Sequence, residues 1–153
     1  MNCGVISCVN TSARLAVHLA RTEGDEAFSH WYTAWGERFH VGGQKDDRRA
    51  TAAAALADAG LDASLIDAYD PVDGDETDQA LRASHSEAID MVGDDVGTPV
   101  ISFGEGTAYF GPVVSPAPKG EEAGRLLDGM QALAGVTGFY ELKRSRTGGV
   151  DLS

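Results

Sequence analysis

The residues best equipped for chemistry are two thiols, four imidazoles and a proline set directly before an apolar run. Cys3 and Cys8 are the only cysteines, and their spacing of five puts them on different faces of a helix and opposite faces of a strand. They make a poor redox pair, and in a reducing compartment both are expected as free thiols. His18 and His30 have no ligand partners at metal spacing, and the sequence holds no Asp-x-Asp-x-Asp-Gly calcium loop, so no metal is expected. His40 closes the run Arg38-Phe39-His40, where it suits either the negative end of a helix or a place in a substrate pocket. His85 sits on an apolar stripe and is expected to pack between helices. Thr98-Pro99 admits two readings: a proline at the first position of a strand, or a cis turn, the geometry of only ~5–6% of X-Pro bonds.

Charge narrows the partners. The 153 residues carry a net charge of −12, and twelve acidic residues with a single base, Arg82, fall between Asp58 and Asp95. Such a surface repels nucleic acid and anionic lipid, and it reads as a solvated helix face. Only the end is locally basic, with Lys119, Arg125, Lys143, Arg144 and Arg146. No stretch approaches the ~18–20 apolar residues of a membrane span, and Met1–Val5 lacks the basic start of a secretory signal. The expectation is a soluble, cytoplasmic protein.

The elements that must position these groups change character along the chain. Val5, Ile6 and Val9 favour a short strand. Leu15, Val17, Leu19 and Ala20 then follow a helical rule, with Asn10, Thr11 or Ser12 available to cap it. Gly24 ends that helix and Asp25 can cap the next, whose aromatic stripe of Phe28, Trp31, Tyr32, Trp35 and Phe39 runs up to Gly42-Gly43. Asp46 or Asp47 opens a third helix that Gly60 closes, and Asp62 caps a short piece from Ala63 to Tyr69. A longer helix follows from about Asp75 to Val92, with Leu81, His85, Ala88, Ile89 and Val92 as its stripe. From Pro99 the period drops to two. Pro99–Phe103 and Thr107–Phe110 read as strands joined by Gly104-Glu105-Gly106, a hairpin loop with glycine where positive φ is wanted. A last helix runs from Glu121 to Ala134, with Ala123, Leu126, Leu127, Met130 and Leu133 on one face.

One strand does not fit this inventory. Val100 to Phe103 is apolar on both faces apart from Ser102, which suits a central strand covered above and below. A lone hairpin cannot supply such surroundings.

Several runs carry a family resemblance. They are Asp95-Val96-Gly97-Thr98-Pro99-Val100-Ile101, Tyr109-Phe110-Gly111-Pro112-Val113, Pro118-Lys119-Gly120-Glu121-Glu122 and the ending Phe139-Tyr140-Glu141-Leu142-Lys143-Arg144-Ser145-Arg146-Thr147. Together with Tyr32-Thr33-Ala34-Trp35-Gly36-Glu37-Arg38-Phe39-His40 and Ala80–His85, they resemble DsbA-like proteins of actinobacteria, and most of all the mycothiol-dependent nitroreductases. The resemblance implies an α/β, thioredoxin-like fold of DsbA type. Residues 1–95 would be its helical insertion, and 96–153 the C-terminal strand–strand–helix half. The N-terminal strand–helix–strand that carries Cys-x-x-Cys in the family has no counterpart here, so an N-terminally truncated relative is expected, without the nucleophile.

By the same resemblance, Val96, Gly97, Thr98 and Pro99 form the cis-proline loop that faces the active-site cysteine, and His40 lies near the substrate thiol. The Thr98 backbone would pair with an extended thiol substrate as a short strand would. Mycothiol or a similar low-molecular-weight thiol would be co-substrate, with a small reducible molecule as partner and no tightly bound cofactor. Trp31, Tyr32 and Trp35 read first as core and second as an apolar wall for a flavin-like substrate. Two other readings stand beside this one. The kappa-type glutathione transferase and 2-hydroxychromene-2-carboxylate isomerase group shares the helical insertion but uses serine. A non-catalytic remnant or binding module would complete its sheet by association, for instance as a homodimer through the open strand edge.

Overall fold

The computed structural model describes residues 11–104, 106–145, 147–149 and 151. Cys3, Cys8, the strand expected at Val5–Val9, Asn10, Glu105 and Arg146 lie outside them. The chain divides into two compact units after Ser84. That division falls inside the long helix rather than at the 95/96 boundary read from the sequence.

The first unit is helical. It holds α1 (Thr11–Thr22), α2 (Asp25–Gly36), a π-helical turn (Glu37–Val41), α3 (Arg48–Asp58), a 3-10 segment (Ala63–Tyr69) and the start of α4 (Glu76–Val92). Leu15 and Leu19 stand four apart on α1, and Ala52, Ala55 and Leu56 share one face of α3, so each helix offers a narrow apolar stripe. These five residues close on Trp31 and Tyr69 to form the buried core. Burial of each leucine there contributes roughly 1.5–3 kcal/mol. The alanines of α3 let the Trp31 indole approach closely enough to donate its N–H to the Ala52 carbonyl at 3.2 Å.

Local chemistry sets most helix ends. Asp47 accepts from the Ala50 amide at 2.9 Å and caps α3, and Asp62 accepts from Ser64 at 2.7 Å. At α2 the expectation is corrected. The cap position is Gly24, with φ of 92°, and Asp25 lies inside the first turn, where its charge meets the helix dipole. The far end of α2 differs too. The aromatic stripe continues past Gly36 into the π turn, closed by the Gly42 amide on the Glu37 carbonyl at 2.7 Å. Periodicity alone does not separate such a turn from more α-helix.

The second unit holds β1 (Val100–Ser102), β2 (Ala108–Phe110) and α5 (Glu121–Ala134). The strands pair antiparallel with Val100 opposite Phe110 and Ile101 opposite Tyr109. Gly104 and Gly106, at φ of 83° and 77°, turn the hairpin, and Phe103 donates to the Thr107 carbonyl at 3.1 Å. Among the described residues this is the whole sheet. Val100, Ile101 and Phe103 are half-buried, and among the described residues no apolar side chain from residue 85 onward joins the buried core. On α5, Leu126 and Met130 are half-buried, but Leu127 and Leu133 stay exposed. His85, expected between helices, is exposed as well. No helix among the described residues is long and apolar enough to cross a membrane.

Candidate functional site

Val96, Gly97, Thr98 and Pro99 lie consecutively in the loop between α4 and β1. Val96 is half-buried and the other three are exposed. The Thr98–Pro99 peptide is cis, as are Gly111–Pro112 and Ser115–Pro116. The loop returns to the hairpin at two points. The Pro99 carbonyl accepts from the Gly111 amide at 2.7 Å, and a Cβ on Gly97 would meet the Phe110 ring at 3.8 Å. Thr98 itself makes no hydrogen bond among the described residues.

The register decides which backbone groups are free. Pro99 and Phe103 bond across to β2, so Ile101, with the same parity, does so too. Val100 and Ser102 therefore turn their N–H and C=O away from β2. They form an open edge that continues directly from Thr98-Pro99. On the far side of the hairpin, the Tyr109 hydroxyl donates to the Phe139 carbonyl at 3.1 Å, and the Ser115 hydroxyl joins Gly149 and Asp151. Both contacts hold the C-terminal tail.

His40 belongs to the first unit and sits in the π turn rather than at the end of α2. It is exposed, and its ring stands edge-on to Phe39 and Trp35 at 5.1 and 5.6 Å. Trp31, Trp35 and Phe39 stack in succession, with centroids 6.0 and 4.8 Å apart. Tyr32 flanks Trp35 at 6.4 Å. Trp31 is core as expected, whereas Tyr32 is 55% exposed.

Sequence reasoning missed the cations of this cluster. Lys45 and Arg48 lie over the Phe39 ring, 5.8 and 5.4 Å from its centroid. Basic residues following the Gly42-Gly43 break were the only signal, and spacing across a loop does not say which ring a side chain will reach.

A hollow of about 360 Å³ in the first unit is lined by Arg14, His18, Ser64, Leu65, Asp75 and Thr77, among others. It is an ion-pair clasp. Arg14 reaches both Asp75 oxygens, at 3.0 and 2.6 Å, and the carbonyls of Ala68 and Val72. The Arg14 bonds, and the Asp78 amide behind them, hold the Asp75 carboxyl at about 2. Asp58 is likewise held below the usual carboxylate range by Arg38, and Asp78 by Arg82. These shifts report structural pairs. Among the described residues, no group of three or more His, Cys, Asp or Glu side chains could hold a metal ion.

Two comparisons place this arrangement among known proteins. The chain is 32% identical over 129 residues to the uncharacterized protein Rv2286c of Mycobacterium tuberculosis (strain ATCC 25618 / H37Rv), a match covering 84% of the chain. It spans about half, 54%, of that relative's length. Residues 5–144 match the model of a family described as Rv2466c-like, after the mycothiol-dependent nitroreductase Rv2466c. That match takes in both units, the aromatic stripe and the Thr98-Pro99 loop, and the chain belongs to the Rv2466c-like family.

Proposed function

We propose that this chain serves mycothiol-dependent thiol–disulfide or nitro-group reduction, supplying the proline-loop side of the site. The observation that carries the reading is the exposed Thr98-Pro99 loop running straight into the open edge of β1. An extended small thiol would lie there as a short strand, with the Thr98 backbone as its partner. Val96 and Gly97 would shape the loop behind it.

In such chemistry a thiolate attacks a disulfide sulfur and the displaced sulfur leaves as thiolate. For a nitro group, two thiols give up two electrons and two protons and end as a disulfide, while the nitro group becomes nitroso and one oxygen leaves as water. The attacking sulfur must be a thiolate of lowered pKa. Cys3 and Cys8 are the only candidates in the sequence and do not have the Cys-x-x-Cys spacing. We therefore infer that these residues alone do not turn over, and that the attacking thiolate is supplied from outside them. The exposed Phe110, Val113, Val114 and Leu127 support a further layer against this unit.

The test is mycothiol-dependent reduction of a dinitro substrate by the purified chain. No rate above the protein-free mixture is expected. A mycothiol-dependent rate that Cys3→Ser or Cys8→Ser abolishes would overturn the inferred inactivity.

A further inference from the structure

Charge is arranged differently in the two units. All the ion pairs among the described residues lie in the helical unit, between Arg14 and Arg82. In the second unit, Glu87, Asp90, Asp94 and Asp95 follow one another with no lysine or arginine between them. All four are exposed, and none has an ion-pair partner among the described residues.

The place of this run goes against its local electrostatics. α4 ends at Val92, and the Gly93 amide closes on the Ile89 carbonyl at 2.7 Å. The C-terminal end of a helix carries a partial negative charge, which favours a cation there and disfavours a carboxylate. The last turn of α4 has no base and instead holds Asp90. Asp95 adds a second acid. Gly93, at φ of 91°, has no side chain, and an Asp95 carboxylate oxygen lies 3.2 Å from where its Cβ would be. The carboxylate therefore folds back onto the negative helix end, where it costs stability. Such departures from local preference gather where a chain serves something other than its fold.

The proline loop comes next in the chain. Three peptide units separate Asp95 from Thr98, so their Cα atoms are at most about 11 Å apart. That reach is close to the Debye length of ~10 Å at 0.1 M salt. Thr98 and the free groups of Val100 thus lie within the field of these carboxylates and of the end of α4. The described bases of this unit, Lys119, Arg125, Lys143 and Arg144, all follow β2, and none pairs with the run.

We propose that Asp94 and Asp95 are specificity-determining residues for the thiol at Thr98-Pro99, disfavouring anionic thiols relative to uncharged ones. This rests on the proposed thiol site and adds the charge class of its ligand. The selection acts through the field, without contact, so added salt weakens it.

Two thiols that differ in one charge test it: N-acetylcysteine, a carboxylate, and N-acetylcysteine amide, which is neutral. Their binding is followed near neutral pH by the amide shifts of Gly97, Thr98 and Val100. The neutral thiol is expected to bind roughly three- to fivefold more tightly at about 20 mM salt, and less than about twofold at about 0.5 M. In Asp94→Asn/Asp95→Asn the gap is expected to fall below about twofold at the lower salt, through tighter binding of the anionic thiol alone. That variant is also expected to melt about 1–3 °C higher, because the negative end of α4 is relieved of two carboxylates. Equal affinities in the wild-type chain, a gap that neither salt nor the variant changes, or a lower melting point would each overturn the proposal. No saturable shift with either thiol would overturn the thiol site itself, whereas saturable binding of both without discrimination would remove only the charge selection.

Discussion

Arg14 grips both oxygens of Asp75, at 3.0 and 2.6 Å, across 61 residues of chain. The guanidinium is almost wholly buried, with its side chain 5% exposed. It ties α1 to the segment that opens α4, and Asp75 also accepts from the Asp78 amide at 2.7 Å as an N-terminal cap. One carboxylate thus serves a long-range clasp and a helix end at once.

The pH dependence of stability follows from this pair. The Asp75 carboxyl is held at about 2 in the fold, against ~3.9 in an unfolded chain. A lowered folded value gives stability that is full above the unfolded value and lost as pH falls through the folded one. Asp75→Asn is expected to lower Tm at neutral pH, and by more than Asp70→Asn. The gap between wild type and Asp75→Asn is expected to hold constant above about pH 5 and to shrink between roughly pH 4 and 2. Thermal melts by circular dichroism across that range measure it. A gap independent of pH would mean the clasp is not formed.

The two tryptophans are expected to respond differently to the same change. Trp31→Phe removes buried volume and a made hydrogen bond to Ala52, a loss of about 2–3 kcal/mol. Trp35→Phe removes an indole N–H that is buried and unpartnered, so part of the packing loss is returned and the net cost is expected below about 1 kcal/mol. Urea melts give both values. Equal losses would show that the Trp35 indole has an acceptor.

The contrast between the units yields a third expectation. Leu56 is fully covered in the helical core, and Leu56→Ala is expected to cost about 2–5 kcal/mol. Leu127 is 47% exposed on α5, and Leu127→Ala is expected to change stability by less than about 0.5 kcal/mol. Denaturant melts of both variants compare them. A large loss at Leu127 would mean that something already covers that face.

How much of this was legible in the sequence follows the range of each interaction. Asp47 and Asp62 could be read as caps because a cap bond spans two or three residues. The hairpin was legible for the same reason, since Gly104 and Gly106 state their own backbone need. The π turn was not, because Trp35 and Phe39 keep the spacing of an ordinary helix through it. The partners of Arg14, Arg38, Lys45 and Arg48 were not legible either. Charge pairing across 20 or 61 residues is settled by packing, and the sequence lists charges without partners. Val96–Pro99 was singled out through its resemblance to a family motif, and it lies in the loop between α4 and β1. The open edge of β1 was foreshadowed by a strand too apolar for a lone hairpin. His40 was placed at a helix end, where the π turn and its two ring contacts give it different surroundings.

In the proposed function a small thiol lies along Thr98-Pro99 and the free edge of β1. Titration of the isotopically labelled chain with mycothiol, followed by amide chemical shifts, tests it most directly. Saturable shifts are expected at Gly97, Thr98, Val100 and Ser102, with Leu15, Leu19 and Leu56 unmoved. Saturable shifts that spare residues 97–102, or none at millimolar thiol, would contradict it.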